Sequence, residues 1–132
     1  MAKELMFKGK TEKDLKNLSL SDYTLITNSK QRRSIKRGFT EEQKRFLNKL
    51  KKVKDGTYKK IIKTHCRDMP IIPELLGLTI HVYNGKEFIP VNITVETLGH
   101  YLGEFALTRR KVQHSAPGIG ATRSSGGAVS KK

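Results

Sequence analysis

Residues 78–93, which read LTIHVYNGKEFIPVNI, decide the fold of this chain. Two runs rich in β-branched and aromatic residues flank Asn84-Gly85, a pair that accepts positive φ at both central positions of a type I′ turn. We therefore predict a β-hairpin with a two-residue turn. Its cross-strand pairs would be Tyr83 with Lys86, Ile80 with Ile89, and Leu78 with Val91. Apolar residues would then share one face, and Pro90 indicates that the second strand either lies at an edge or breaks there.

A helix is predicted before the hairpin, from about Glu41 to Lys54. Thr40 is a good N-cap, and Gln43 three residues later completes a capping box. Four apolar side chains recur at helical spacing and should form the buried face: Phe46, Leu47, Leu50 and Val53. Six basic residues and no acid lie between Lys44 and Lys54. The other side of this helix therefore faces either solvent or RNA.

A second helix is predicted after the hairpin, from about Val95 to Leu107, with Thr94 as its N-cap. Leu98, Leu102 and Phe105 would form its buried stripe. Gly99 and Gly103 lie four residues apart, and each costs about 1 kcal/mol relative to alanine inside a helix. Their small size therefore needs a reason, either close packing on a strand or close approach of an RNA backbone.

The remaining segments give shorter elements. A short strand is expected over 61–64, and 69–73 should be an ordered connector because its two prolines lack N–H groups. A short helix is plausible near Leu15, and the basic stretch 31–38 reads as a solvated loop or a phosphate-contacting arm.

Charge divides the chain into three parts. The 132 residues include 27 Lys+Arg and 12 Asp+Glu, a net charge of +15. Residues 1–60 carry +11, residues 61–110 are neutral, and residues 111–132 carry +4. We predict a basic N-terminal extension over 1–39, an α+β RNA-binding core over 40–114, and a flexible C-terminal tail over 115–132. Such an excess of positive charge points to a polyanionic partner, most commonly nucleic acid.

Nothing in the sequence forms a convincing catalytic or metal site. Cys66 is the only cysteine, so an intrachain disulfide and a cysteine-based zinc cluster are both excluded. The four histidines have no zinc-binding spacing, and the acids are dispersed. We therefore expect no enzyme activity, no metal and no cofactor. Without a signal-like or membrane-spanning apolar run, a cytoplasmic protein is expected.

The second half of the chain resembles the universal small-subunit ribosomal protein family called S-nineteen (S19) in bacteria and S-fifteen in eukaryotes. The matching block runs from Asn84-Gly85-Lys86 to Gly103-Glu104-Phe105 and Thr108. The other matching residues are Arg67, Ile72-Pro73, Gly77, Val82-Tyr83, Pro90-Val91, Leu98 to Leu102, Arg109 and His114. The basic N-terminal region and the Pro-Gly-Ile-Gly-Ala-Thr stretch of the tail are similar to the archaeal and eukaryotic branch, and the ending after 125 favours the archaeal type.

The resemblance implies an α+β fold, with a small antiparallel three-stranded sheet and packed helices. It also implies a structural protein of the small ribosomal subunit, working in translation. It would bind the 3′ domain of small-subunit (16S type) rRNA in the head and lie beside the S-thirteen family protein. The C-terminal tail would point toward the decoding region and A-site tRNA. We expect neither a membrane partner nor a homo-oligomer.

We predict that rRNA contacts combine the basic clusters with the hairpin turn and the second helix. Arginine forks suit phosphate oxygens, and such contacts position the protein without reading sequence. Tyr83 and Phe88 are additional candidates for stacking on an unpaired base, although packing is equally consistent for Phe88. The predicted RNA-binding residues are Arg32, Arg33, Lys36, Arg37, Lys44, Lys51, Arg67, Asn84, Gly85, Lys86, His100, Gly103, Arg109, Arg110, Lys111 and His114.

Two other classes of function remain as alternatives. A DNA-binding or nucleoid architectural protein would share the basic ends, but the sequence shows neither helix-turn-helix nor zinc-finger spacing. An enzyme acting on RNA would need an acid, a base or a metal-binding constellation, none of which is evident. Binding to an rRNA head fragment compared with duplex DNA, together with a nuclease assay, discriminates among the three.

Overall fold

The computed structural model describes residues 4–113 and has a three-stranded sheet as its centre. Strands β1 (Lys63–Thr64), β2 (Thr79–Tyr83) and β3 (Phe88–Asn92) lie in the order β1-β2-β3. The α+β class and the three strands are as predicted. The sheet is mixed, however, because β2 and β3 are antiparallel while β1 runs parallel to β2. The long connection over 65–78 makes this possible, since it crosses back before β2 begins.

The hairpin has a longer turn than predicted. The observed pairs are Thr79 with Asn92, Ile80 with Val91, His81 with Pro90, Val82 with Ile89, and Tyr83 with Phe88. The side chain of Asn84 causes the difference, because its Oδ1 accepts hydrogen bonds from the backbone N–H groups of Lys86 (2.9 Å) and Glu87 (2.8 Å). The two-residue turn was therefore the wrong prediction. The shift in register is two residues, so each side chain keeps its predicted face.

Three short helices precede the long one: α1 (Glu12–Lys16), α2 (Leu20–Ile26) and α3 (Ser29–Arg37). The predicted irregular conformation of 31–38 is wrong, because most of this stretch is α3, whereas its phosphate-contacting role stays a prediction. Gln31 and Ile35, one helical turn apart, are its buried side chains. The Gln31 amide is satisfied there, since Nε2 donates to the carbonyl of His100 at 2.8 Å.

Helix α4 (Glu41–Lys54) confirms the prediction made from its sequence. The Thr40 hydroxyl accepts from the N–H of Gln43, and the Gln43 side chain accepts from the N–H of Thr40. Phe46 and Leu50 are buried, and Leu47 and Val53 pack partly against the same core. The opposite side of the helix carries exposed lysines.

The predicted second helix over 95–107 is wrong. Two short 3-10 turns, Val95–Thr97 and Leu102–Phe105, stand in its place. Gly99 between them has φ +86°, a left-handed conformation that ends any regular helix. The segment also runs beside 67–71, where the N–H of Ile71 donates to His100 O and the N–H of Gly103 donates to Arg67 O, both at 2.9 Å. Hydrogen bonds to a distant segment replace those of a helix.

One apolar cluster joins the N-terminal helices to the sheet. Leu15, Tyr23 and Ile35 are buried in the same cluster as Ile80 and Leu102. The predicted boundary between 1–39 and 40–114 stays a prediction. In the structure, the described part of 1–39 packs on the core. The predicted tail over 115–132 lies outside the described residues.

Candidate nucleic-acid interface

A wide basic groove runs along helix α3. Its volume is about 1210 Å³, and its walls come from α3, the start of α4, residues 67–68 and residues 101–104. Lys30, Arg33 and Arg37 all line it and are exposed. Their spacing of three and four residues places them on neighbouring turns of the helix. We call this feature the α3 groove.

The wall opposite these cations contains an aromatic ring and two acids. The Lys30 ammonium lies 5.3 Å from the centre of the Tyr101 ring. Asp68 Oδ2 accepts a hydrogen bond from Gln43 Nε2 at 3.2 Å, and Glu104 is paired with His100. Both carboxylates therefore already have partners within the protein. The groove combines free cations with a half-exposed ring, an arrangement that suits a nucleic-acid backbone with an adjacent base.

Two predicted phosphate contacts, Arg32 and Arg67, have their guanidinium groups directed at backbone carbonyls instead. Arg32 donates to the carbonyls of Thr24 (2.8 Å), Leu25 (3.3 Å) and Thr27 (3.1 Å) at the end of α2. This satisfies carbonyls that a helix terminus leaves without partners. Arg32 therefore stabilises the α2–α3 junction, and its neighbour Arg33 presents the free charge.

Arg67 connects three parts of the backbone. Its guanidinium donates to the carbonyls of Tyr83 (2.7 Å), Gly103 (2.8 Å) and Ala106 (2.6 Å). It is half-buried and borders the α3 groove. Most of its hydrogen-bonding capacity is thus used to join β2 to the segment that follows Tyr101.

At the hairpin turn, only part of the predicted set is available to a partner. Asn84 is buried and its Oδ1 caps the turn. Gly85 (φ +100°) and Lys86 are exposed at the tip. Lys86 is therefore the residue here that presents a charge to a partner, and Asn84 and Gly85 shape the turn that carries it.

His100 and Gly103 lie close to the groove in different roles. The His100 ring is half-exposed and its Nδ1 contacts the Glu104 carboxylate. A Cβ added at Gly103 would lie 2.9 Å from the backbone oxygen of Arg67. The small size of Gly103 is thus explained by packing within the protein.

The other predicted residues lie outside the groove. Lys44 and Lys51 are exposed on α4, and Lys44 is paired with Glu41 at 3.0 Å. Arg109 and Lys111 are exposed, while Arg110 is paired with Glu87 at 2.8 Å. His114 lies outside the described residues. The structure therefore groups Arg33 and Arg37 in the groove, with Lys36 beside them on α3, and spreads the remaining cations over the surface.

Sequence reasoning missed Lys30 and Tyr101. Both line the groove, and they contact each other. The signal for Lys30 was its spacing from Arg33 and Arg37, which has meaning only if the stretch is helical. Tyr101 had no such signal, because its contact joins segments far apart in the chain.

The described residues contain no cluster of three histidine, cysteine or acidic side chains suited to hold a metal ion. Burial raises the pKa of the Cys66 thiol, which keeps it protonated at neutral pH. Among the residues that the structure describes, no helix is long and apolar enough to cross a membrane.

Comparisons with known proteins agree with the resemblance seen in the sequence. A family model described as "Ribosomal protein S19" matches residues 33–114. The chain is also 47% identical over 124 residues to the small ribosomal subunit protein uS19 of the archaeon Saccharolobus solfataricus. That similarity covers 93% of this chain and 89% of the relative.

Proposed function

The chain belongs to the ribosomal protein S19 family, archaeal type, and from this premise we propose that it holds small-subunit rRNA of the head through the α3 groove. Membership makes it a structural protein of the small ribosomal subunit, in a family whose members are not enzymes. The proposal concerns which side chains of the protein contact the rRNA. Our candidates for the principal phosphate contacts are Lys30, Arg33 and Arg37.

The main support for the proposal is that the two arginine side chains of α3 in the groove have no partner among the described residues. Within residues 4–113, neither Arg33 nor Arg37 makes a side-chain hydrogen bond or an ion pair. Arg32, between Lys30 and Arg33 in sequence, directs its Nε and one terminal nitrogen at carbonyls. Two unpaired guanidinium groups on one helix side are therefore ready to form bidentate contacts with phosphate.

The scattered cations supply a second, weaker set of contacts in this proposal. Lys36, Lys51, Lys86, Arg109 and Lys111 are exposed and would add charge neutralisation around the groove, and Lys44 would do so after leaving Glu41. Arg110 would contribute after leaving Glu87, and His100 after leaving Glu104. Arg32, Arg67, Asn84, Gly85 and Gly103 would act indirectly, by shaping the surface.

Two further assignments, which the resemblance implies, belong to the same proposal. We place the chain in the 3′ domain of the rRNA beside the S-thirteen family protein. We also propose that the tail over 115–132 points toward the decoding region and A-site tRNA. Cross-linking of intact small subunits, read out by mass spectrometry, tests both assignments.

The groove is tested by measuring how rRNA affinity depends on salt. The triple variant Lys30→Gln/Arg33→Gln/Arg37→Gln should bind an rRNA fragment of the small-subunit head more weakly. Its slope of log K against log salt should fall by about 2–3, since each phosphate contact contributes about 0.7–0.9. The matched control, Lys8→Gln/Lys10→Gln/Lys13→Gln, removes the same charge from the region around α1.

An equal loss of slope in both triple variants would show that net charge alone matters and would overturn the groove assignment. Equal affinity of the wild-type chain for duplex DNA at matched salt would instead favour a DNA architectural protein. RNA cleavage by the purified chain would support the enzyme alternative.

A further inference from the structure

The outward face of the sheet carries a cluster of three rings, which we call the ring cluster: His65, Tyr83 and Phe88. The ring centres of His65 and Tyr83 are 4.6 Å apart, those of Tyr83 and Phe88 5.0 Å, and those of His65 and Phe88 5.2 Å. Each ring therefore contacts both of the others. This cluster lies outside the α3 groove and plays no part in the proposal above.

Strand alternation places these rings on the outside. Ile80 and Val82 of β2 are buried in the core, so His81 and Tyr83 project from the opposite face. Phe88 is the cross-strand partner of Tyr83. His65, just after β1, is exposed, whereas Tyr83 and Phe88 are half-buried. The cluster thus keeps ring surface accessible to solvent.

The rings are held in place by the protein itself. The Tyr83 hydroxyl donates to the carbonyl of Gly85 at 2.9 Å, which fixes the ring across the turn. The backbone carbonyl of Tyr83 accepts from Arg67 at 2.7 Å. A pre-positioned aromatic surface loses little conformational entropy when a flat ligand stacks on it.

Positive charge accompanies the cluster. The Lys63 ammonium lies 5.1 Å from the centre of the Phe88 ring. The outward side chains of the described strands include no acid: Lys63, Thr79, His81, Tyr83, Phe88, Pro90 and Asn92. An aromatic surface with a cation beside it suits a base joined to a phosphate, because rings stack on bases and ammonium groups pair with phosphate.

We infer that the ring cluster stacks an unpaired nucleotide of the small-subunit rRNA, with Lys63 meeting its phosphate. This rests on the proposed rRNA-binding function and adds a second contact, made by residues that do not line the α3 groove. The groove contact depends on charge, whereas the ring contact depends on stacking. Its stacking part should therefore vary little with salt, whereas the Lys63–phosphate contact should add about 0.7 to the slope.

The variant Tyr83→Leu/Phe88→Leu tests the inference, because leucine keeps the cross-strand apolar contact and removes the stacking surface. The probe is the rRNA fragment of the small-subunit head. Loss of base stacking should weaken binding about 5- to 150-fold with an unchanged salt slope. Thr79→Val, on the same outward face but away from the rings, is the control and should bind like the wild type.

A single substitution covers the case in which the double variant fails to fold. His65 is exposed and follows the strand, so His65→Leu should leave thermal unfolding unchanged while weakening the same complex. Ultraviolet irradiation of wild-type small subunits is independent of any variant. It should attach nucleotides to His65, Tyr83 or Phe88, detected as peptide adducts by mass spectrometry.

Several results would contradict these expectations. Wild-type affinity in the folded ring variants, combined with weakened binding by the groove variant, would overturn this inference and leave the proposed function intact. Nucleotide adducts elsewhere with none on the ring cluster, or protein cross-links to Lys63 in their place, would also overturn it. Failure of the wild-type chain to bind the fragment would overturn both proposals.

Discussion

Gly103 lies against the backbone of Arg67. An added Cβ would lie 2.9 Å from the Arg67 oxygen and 3.0 Å from its Cβ, and the Gly103 N–H donates to that same oxygen. A side chain at this position must therefore push apart two segments that are hydrogen-bonded to each other. The sequence left two reasons for the glycine open, internal packing and approach of RNA, and the structure provides the first.

Gly103→Ala should consequently destabilise the fold. Forcing one methyl group into such a contact costs about 1–3 kcal/mol, and urea unfolding at pH 7 measures that loss. If RNA approach were the reason instead, the variant would unfold at the wild-type urea concentration and bind the rRNA head fragment more weakly. Asn48→Ala, at an exposed position of α4, serves as the control.

Tyr23 gives the molecule a pH-dependent stability at alkaline pH. Its side chain is fully buried, and its hydroxyl donates to the carbonyl of Ile71 at 3.1 Å. Burial raises the pKa of this phenol above its ordinary value of 10.0. The folded state therefore retains the proton at pH values where the unfolded state has lost it. Stability is unaffected by this group below about pH 10 and falls as the pH rises above that.

Tyr23→Phe separates this effect from the titration of the lysines. At pH 8 the variant should be about 1 kcal/mol less stable, because a buried hydrogen bond is lost. Above pH 10 the difference should shrink, because ionisation of this phenol stabilises the unfolded wild type while the folded wild type keeps the phenol protonated. Urea unfolding at pH 8 and pH 10.5 provides the two values. A difference that stays constant would contradict the assignment, and Tyr58→Phe, at a partly exposed tyrosine, is the control.

At the scale of elements, α4 shows when local sequence is sufficient. Its capping box and its apolar spacing are contained within 40–54, and both appear in the structure. Thr40→Ala removes the cap and should cost about 1 kcal/mol in the free energy of unfolding. Thr57→Ala, at an exposed position after the helix, should change stability little. Equal effects of the two substitutions would show that the cap is unimportant.

The segment over 95–107 shows when local sequence is not sufficient. Its apolar spacing fits a helix, but Gly99 adopts φ +86° and Arg67 donates to the carbonyls of Gly103 and Ala106. The hydrogen bonds that would have formed within a helix are supplied by a side chain more than thirty positions away. A local pattern contains no information about such a partner.

The hairpin falls between these two cases. Alternation of apolar residues predicted correctly which side chains face the core, since a register shift of two keeps every side chain on its face. It did not predict the register, which depends on the two hydrogen bonds accepted by Asn84 Oδ1. The ring cluster follows from the same pairing, because Tyr83 and Phe88 are direct cross-strand partners in the observed register.

The sequence predicted which kinds of residue form the candidate site, but it did not predict their geometry. The cluster over 32–37 correctly indicated a surface rich in positive charge. It did not separate Arg32, whose donors meet carbonyls, from Arg33 and Arg37, which face the groove. That distinction depends on where α2 ends relative to α3, which is a property of the packed structure.

At the scale of the whole molecule, charge and packing divide the chain differently. Residues 1–60 carry most of the net charge, yet Leu15, Tyr23 and Ile35 are buried with the central residues. Two hydrogen bonds reinforce this junction, from Tyr23 to Ile71 and from Gln31 to His100. The basic helices thus bury apolar side chains in the core on one side and expose cations on the other.

Removal of residues 1–39 should therefore abolish independent folding of the remainder. Burial of each large apolar side chain contributes about 1.5–3 kcal/mol, so loss of Leu15, Tyr23 and Ile35 removes an amount comparable with the total stability of a small domain, about 5–15 kcal/mol. Circular dichroism during heating should show a cooperative transition for the full chain and none for 40–132. Arg33→Gln/Arg37→Gln, which alters α3 only on its groove side, should keep the transition. A different outcome would contradict this prediction: residues 40–132 unfold cooperatively, with a free energy of unfolding within about 1 kcal/mol of the full chain. Such a small difference is of the order seen for surface changes. Residues 1–39 would then be an extension that the core does not need.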